Sequence, residues 1–154
     1  MEDKTFTRME WHRIEAVRNF NAAWDLMDRK DRSKEEDILM IHTAHASRFH
    51  WGIIGTPLEF ARGEWQISRV YSILGLPESA LLHGQHSLDL CQSNTIGDFD
   101  LAFAHEAVAR AQTLTGNLEE GRKHHEEAVN AAEGIKSPED REYLLSELAT
   151  IFPG

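Results

Sequence analysis

The sequence predicts an all-α fold in which about seven helices stack as antiparallel hairpins, an α-solenoid in outline. Three observations lead there. Apolar residues recur at spacings of three and four along most of the chain, with no alternating stretch of the strand kind. Helix-starting and helix-stopping residues punctuate it, and three of the four prolines (Pro57, Pro77, Pro138) fall where helices would begin. An offset of 41 residues also lays one pair of helices over the next.

The first helix is expected from about residue 6 to 30, with Val17, Phe20, Trp24 and Met27 on one apolar stripe. Ser33 opens the second as a capping box with Glu36. That helix, to about Trp51, is apolar on more than one side (Ile38, Leu39, Ile41, Ala44, Phe49), which predicts a rod enclosed by neighbours. Gly52 to Gly55 end it, and Thr56-Pro57 start the third, which stops at Gly75, a residue suited to a left-handed cap. Pro77 opens the fourth, to about Ser93. Asp98 is the expected N-cap of the fifth, through Thr115; Gly116-Asn117 turn the chain into the sixth, to about Glu133. Ser137-Pro138 begin the seventh. The single domain, residues 1–154, thus divides into helix pairs at about 6–52, 57–93 and 98–134, with a capping helix over 137–152.

At the 41-residue offset Ala61 meets Ala102, Ile67 meets Val108, Ser68 meets Ala109 and Arg69 meets Arg110. Gly75 meets Gly116, Ser87 meets Ala128 and Leu88 meets Val129. The glycine permits a tight turn, and the small residues let two helices approach closely. Ile67, Tyr71, Gly75, Ala80, Ser87 and Leu88 resemble a tetratricopeptide-repeat hairpin, and Val108, Gly116, Gly121, Ala128 and Val129 resemble a second copy with Gln112 in place of the aromatic. The repeat of that family is about 34 residues, so this one implies about two further helical turns per hairpin. Residues 45–111, through Arg62-Gly-Glu-Trp-Gln-Ile-Ser-Arg69 and Gly97-Asp-Phe-Asp100, are also similar to uncharacterised bacterial proteins of that class. The resemblance implies a groove lined by the first helix of each pair, and no activity.

Composition narrows the partners. Carboxylates outnumber cationic side chains 26 to 16, giving a net charge of -10 and no lysine or arginine block. Nucleic acids and anionic membranes are therefore excluded as expected partners. No apolar stretch approaches the ~20 residues that span a bilayer. The N-terminus lacks the pattern of a signal peptide, and a lone cysteine, Cys91, suits a reducing compartment. A soluble protein of the cytoplasm is expected.

The repeat places Arg62, Trp65 and Arg69 on one helix beside Phe103, Glu106 and Arg110 on the next. Arg69 and Arg110 would stand about 10 Å apart. Two guanidiniums flanked by Trp65 and Phe103 suit a peptide carboxylate, which arginine binds as a planar fork. The competing assignment pairs these arginines with Glu64 or Glu106; Glu106 and Arg110 have the favoured i,i+4 order.

Nine histidines include two His-x-x-His pairs, His42 with His45 and His83 with His86. Each pair shares a helical face, as helical metal sites require. No carboxylate lies within either segment, and His45 sits among apolar residues like a hydrogen-bonded core residue. Asp98, Asp100 and Glu106 suit a helix N-terminus, where the dipole favours carboxylates. Cys91 reads as a buried thiol. No nucleophile or acid–base set stands out, and no cofactor is expected. The function expected is a non-enzymatic scaffold that binds a protein or peptide segment, or a copy of itself. The alternative is a metal-binding protein or metal-dependent enzyme using His42, His45, His83 and His86.

Overall fold

A computed structural model describes residues 3–152, so residues 1, 2, 153 and 154 of the expected domain lie outside the described ones. Among the described residues there are seven helices and no strand: α1 (Arg8–Asp28), α2 (Lys34–Ile54), α3 (Pro57–Ile73), α4 (Pro77–Ser93), α5 (Asp98–Leu114), α6 (Leu118–Ala132) and α7 (Pro138–Ala149).

Local chemistry sets most of the boundaries. Ser33 Oγ accepts from the Glu36 amide at 3.1 Å while Glu36 Oε1 accepts from the Ser33 amide at 3.3 Å, closing the capping box. Thr7 and Ser137 cap α1 and α7 through the hydroxyl alone, which accepts from the amides of Glu10 and Asp140. Gly75 and Gly116 have φ of 71° and 88°, the left-handed conformation that lets each hairpin turn back at once. Two expectations change. Asp98 is the first residue of α5, not its cap: Gly97 occupies that position, and no side chain caps the helix. And α2 continues through Gly52 to Ile54, because one glycine costs a helix only about 1 kcal/mol.

The helices form two layers. Each odd-numbered helix touches the next odd-numbered one, and the even-numbered helices touch odd-numbered helices only. The core follows this repeat as three clusters. Ala23, Leu26, Met40, Ala44, Ile67 and Val70 join α1, α2 and α3. Ala61, Leu88, Cys91, Ala104 and Val108 join α3, α4 and α5. Phe103, Ala109, Ala128, Leu144 and Leu148 lead the cluster joining α5, α6 and α7. Such a molecule is a row of nearest-neighbour interfaces.

The enclosed rod is α5, buried without a break from Ala102 to Ala109, and not α2. Its alanines bring four neighbouring helices close. In α2 the outer apolar residues Ile38, Leu39 and Phe49 remain exposed, because only α1 and α3 pack against it.

A hydrogen bond marks the register of the hairpins. Ser87 Oγ donates to the Ala61 carbonyl at 2.8 Å, and Ser47 Oγ donates to the Ala16 carbonyl at 2.7 Å. The α1–α2 pair is therefore built like the α3–α4 pair. In the third hairpin Ala102 and Ala128 occupy the corresponding positions and are fully buried. Close approach is needed at Gly121 of α6, where an added Cβ would overlap Thr113 Oγ1 on α5. Gly121→Val should lower stability by about 1–3 kcal/mol, read as an earlier urea midpoint. An unchanged midpoint would show that Thr113 turns aside freely.

Candidate functional site

One layer of the stack, α1, α3, α5 and α7, carries a run of aromatic rings. Phe20 meets Trp24 at 6.5 Å between centroids, Trp24 meets Trp65 at 5.6 Å, and Trp65 meets Phe103 edge-on at 5.6 Å. Phe103 then meets Phe99 at 4.5 Å and Tyr143 at 5.5 Å. These rings, with Ala61 and Ser87, line a partly open cavity of about 130 Å³. Arg62 and Asp100 also line it, joined as a bidentate pair with Nε–Oδ1 2.8 Å and Nη2–Oδ2 3.1 Å. The Trp65 indole nitrogen is buried and has no hydrogen-bond partner. A second hollow, where α1, α2 and α3 meet, shares Phe20 and Arg62 with the first and extends it to Val17, Trp51 and Leu58.

Three of the six residues nominated for a groove, Arg62, Trp65 and Phe103, thus line one cavity. The other three lie in an ion network beside it. Glu106, completely buried, accepts at Oε1 from Arg69 Nη1 at 3.2 Å and from Arg110 Nε at 2.8 Å. Arg69 also pairs with Glu147 of α7, and Arg110 Nη2 donates to the Glu147 carbonyl at 3.1 Å and to Thr150 Oγ1 at 2.8 Å. The two guanidiniums share a carboxylate of the chain itself, and the network fastens α7 across α3 and α5. Sequence reasoning does not place Phe20, Trp24, Phe99 or Tyr143 at this site. The first two belong to a helix whose register differs from the repeat, and Tyr143 lies on a helix outside it.

The four nominated histidines do not meet at one point. His42 is exposed. The ring of His45 stands 5.3 Å from that of His83, and His45 Nε2 bonds Tyr71 Oη at 2.9 Å. His83 Nδ1 lies 2.7 Å from Glu64 Oε2, while His86 Nε2 and Arg48 Nε lie 3.8 Å and 3.4 Å from Glu64 Oε1. The α2 and α4 backbones do not touch, so only long side chains cross between them above α3. Among the described residues no group of three or more His, Cys, Asp or Glu side chains is arranged to hold a metal ion.

The sequence offers Glu64 only as an alternative partner for the arginines. Its link to His83 has a signature there all the same: the 41-residue offset carries Glu64 to His105 and His83 to His124. Those two imidazoles face each other with their Nδ1 atoms 3.3 Å apart. Both hairpins thus place a polar pair at the same level. A third histidine pair, His12 and His50, joins α1 to α2 at 2.8 Å between Nδ1 atoms.

Burial and neighbouring charge bias these groups. Burial alone would raise the Glu64 pKa, but the hydrogen bond and charge of His83, with Arg48 and His86, outweigh it and hold the carboxyl below its usual range. Burial lowers His45, helped by the charge of His83; it lowers His105, helped by His124; and it lowers His124 against the pull of Glu120. Burial, with Asp100 adding to it, pushes the Cys91 thiol up to about 11, so it is not a nucleophile near neutral pH.

The direction of the pH dependence follows. A histidine with a depressed folded-state pKa binds fewer protons folded than unfolded, so stability is complete above the unfolded value near 6.5 and is lost as pH falls toward the folded value. Glu64 adds a further loss below about 4.5, its unfolded value, as pH falls toward the depressed one. Thermal melts should give a constant midpoint from pH 9 to 7 and a decline of about 5 °C by pH 5. A midpoint that rises on acidification would show that these imidazoles fold in their charged forms.

Fold and site together define a helical-repeat protein of the α-solenoid type with an aromatic cavity in one layer. Set against protein-family models, curated proteins and solved structures, the chain matches none. No helix of the described residues is long and apolar enough to cross a membrane.

Proposed function

We propose that this chain is a tetratricopeptide-repeat-like binding module of the cytoplasm, non-enzymatic, which holds a protein or peptide segment against the α1–α3–α5 wall. The cavity among Trp24, Trp65, Phe99 and Phe103 carries this reading. Its size, about 130 Å³, compares with an engineered cavity of about 150 Å³ that accepts a benzene ring. One leucine or phenylalanine side chain fills such a space, and a drug-sized cofactor needs several times more.

The hollow reaching Trp51 and Leu58 gives the rest of the segment an apolar bed. An aromatic cavity that buries one anchor residue is how most contact energy is concentrated in a few positions. Arg69 and Arg110 take no part in ligand binding in this reading, since Glu106 and Glu147 already neutralise them.

Selection from a random peptide library should enrich sequences sharing one leucine, methionine or aromatic anchor. Binding of a selected peptide should change Trp24 and Trp65 fluorescence and weaken at least about tenfold in Phe20→Asp, whose helical CD stays as in the parent. A library with no common anchor, or equal binding by Phe20→Asp, removes the proposal.

A further inference from the structure

We infer that two copies of this chain pair through the exposed face of α1, antiparallel about a two-fold axis. The face consists of Met9, Glu10, Arg13, Ile14 and Val17 on α1, with Phe6 just before its Thr7 cap. Four of these are apolar and solvent-exposed, Phe6 by 51%, Met9 by 53%, Ile14 by 39% and Val17 by 44%. Phe6, Glu10, Arg13, Ile14 and Val17 line one shallow hollow together with Arg18, whose charge is paired with Glu15. Nothing among the described residues covers it, because α1 starts eight residues before the Ala16 register bond whereas α3 starts only four before Ala61. The first turns of α1 therefore project past their neighbour.

The order of residues on this face identifies the occupant. Place a two-fold axis across α1 at the level midway between Trp11 and His12. Antiparallel packing then sets Phe6 against Val17 of the second copy, Met9 against Ile14 and Glu10 against Arg13, and each contact occurs twice. Apolar meets apolar, and carboxylate meets guanidinium. Such a self-complementary patch is what an isologous dimer requires. Neither Glu10 nor Arg13 takes part in an ion pair among the described residues, although the Arg13 guanidinium lies 5.4 Å from the centroid of the Trp51 ring and must leave it to reach a second copy; Glu15 and Arg18 further along α1 pair with each other.

Net charge favours the same end of the molecule. Acidic and basic residues nearly balance through residue 54, and the carboxylate excess lies beyond it. Two copies meeting at α1 thus avoid the repulsion that any approach through the later helices incurs. A helical face about 12 Å long from Met9 to Val17, with Phe6 ahead of it, is at the small end of specific interfaces. The expected dimer is accordingly reversible, with a dissociation constant in the micromolar range.

Sedimentation equilibrium of the full, untagged chain from about 1 to 500 μM tests this. The parent should show a monomer–dimer equilibrium. Glu10→Arg and Arg13→Glu each place like charges together twice and should weaken it at least about tenfold. The double variant Glu10→Arg/Arg13→Glu restores opposite charges across the axis and should return to within about threefold of the parent. CD of each variant checks that α1 remains folded, and Val17→Asp should leave a monomer. A parent that is monomeric throughout, single exchanges without effect, or a double variant as weak as the singles would each overturn the inference.

Discussion

Replacing Glu106 with alanine should lower the unfolding free energy by about 3–5 kcal/mol, the usual consequence of removing one member of a buried ion group. The carboxylate is completely buried and lies between Arg69 and Arg110, whose side chains are themselves only 19% and 17% exposed. Without it, two cations face each other in a place that water reaches poorly. Glu147 compensates Arg69 alone. Glu106→Gln, which keeps an acceptor and loses the charge, should fall between parent and alanine. Replacing Glu106, Arg69 and Arg110 together by apolar residues of similar volume should recover most of the loss, since the attraction within such a group roughly offsets its desolvation. Urea titration measures all three; a loss below about 1 kcal/mol for Glu106→Ala would mean that water solvates the arginines freely.

The consequence extends to the cavity. Arg69 and Arg110 hold Glu147 of α7 and Thr150 at its C-terminal end, and Tyr143 of α7 forms part of the cavity wall. Glu106→Ala should therefore speed amide hydrogen exchange in α7 before it does so in α3 or α4. In this molecule an ion network that binds no ligand positions the element that closes the apolar site.

The repeat in the sequence carries the reading of both features part of the way. Gly75 with Gly116, Ile67 with Val108 and Ser68 with Ala109 share an offset, and in the structure each pair shares its environment: left-handed turns, then buried positions. Leu88 and Val129 share the offset and not the environment, because α4 packs under α5 while Val129 on α6 is 38% exposed. The first hairpin escapes the comparison for a geometric reason. Its register bond joins Ala16 to Ser47, and Arg29 to Ser33 lengthen the connection, so no single offset aligns both of its helices with α3 and α4.

That limit explains which site residues are legible. Arg62, Trp65 and Phe103 lie on the two helices related by the offset, and their adjacency follows from it. Trp24 and Tyr143 reach the same cavity from helices that the offset does not describe. Spacing places Arg69 and Arg110 in one layer and offers Glu106 as their partner, both as found, but gives no account of the second carboxylate that reaches Arg69. That carboxylate is Glu147, brought over by the packing of Leu144 and Leu148 against α5 and α6. Pairwise periodicity records repeated interfaces, and the cap at the end of the row makes contacts that are not repeated.

Phe103→Ala is the substitution expected to act most strongly on the cavity itself. Phe103 is 3% exposed and meets Trp65, Phe99 and Tyr143 at once. Truncation should cost about 3–5 kcal/mol, the range for a buried phenylalanine whose surroundings collapse only in part. It also merges the vacated ring volume with the 130 Å³ already present. An apolar cavity of that size accepts small apolar molecules. Benzene or toluene should therefore raise the melting temperature of Phe103→Ala more than that of the parent, by mass action on the folded state alone. The two measurements separate two properties of one ring: the stability loss reports how firmly its neighbours are held, and the rescue reports whether the space they enclose persists. A large loss without rescue would mean that Trp65 and Tyr143 fall inward, and the cavity would then be a product of Phe103 packing and not of the helix scaffold.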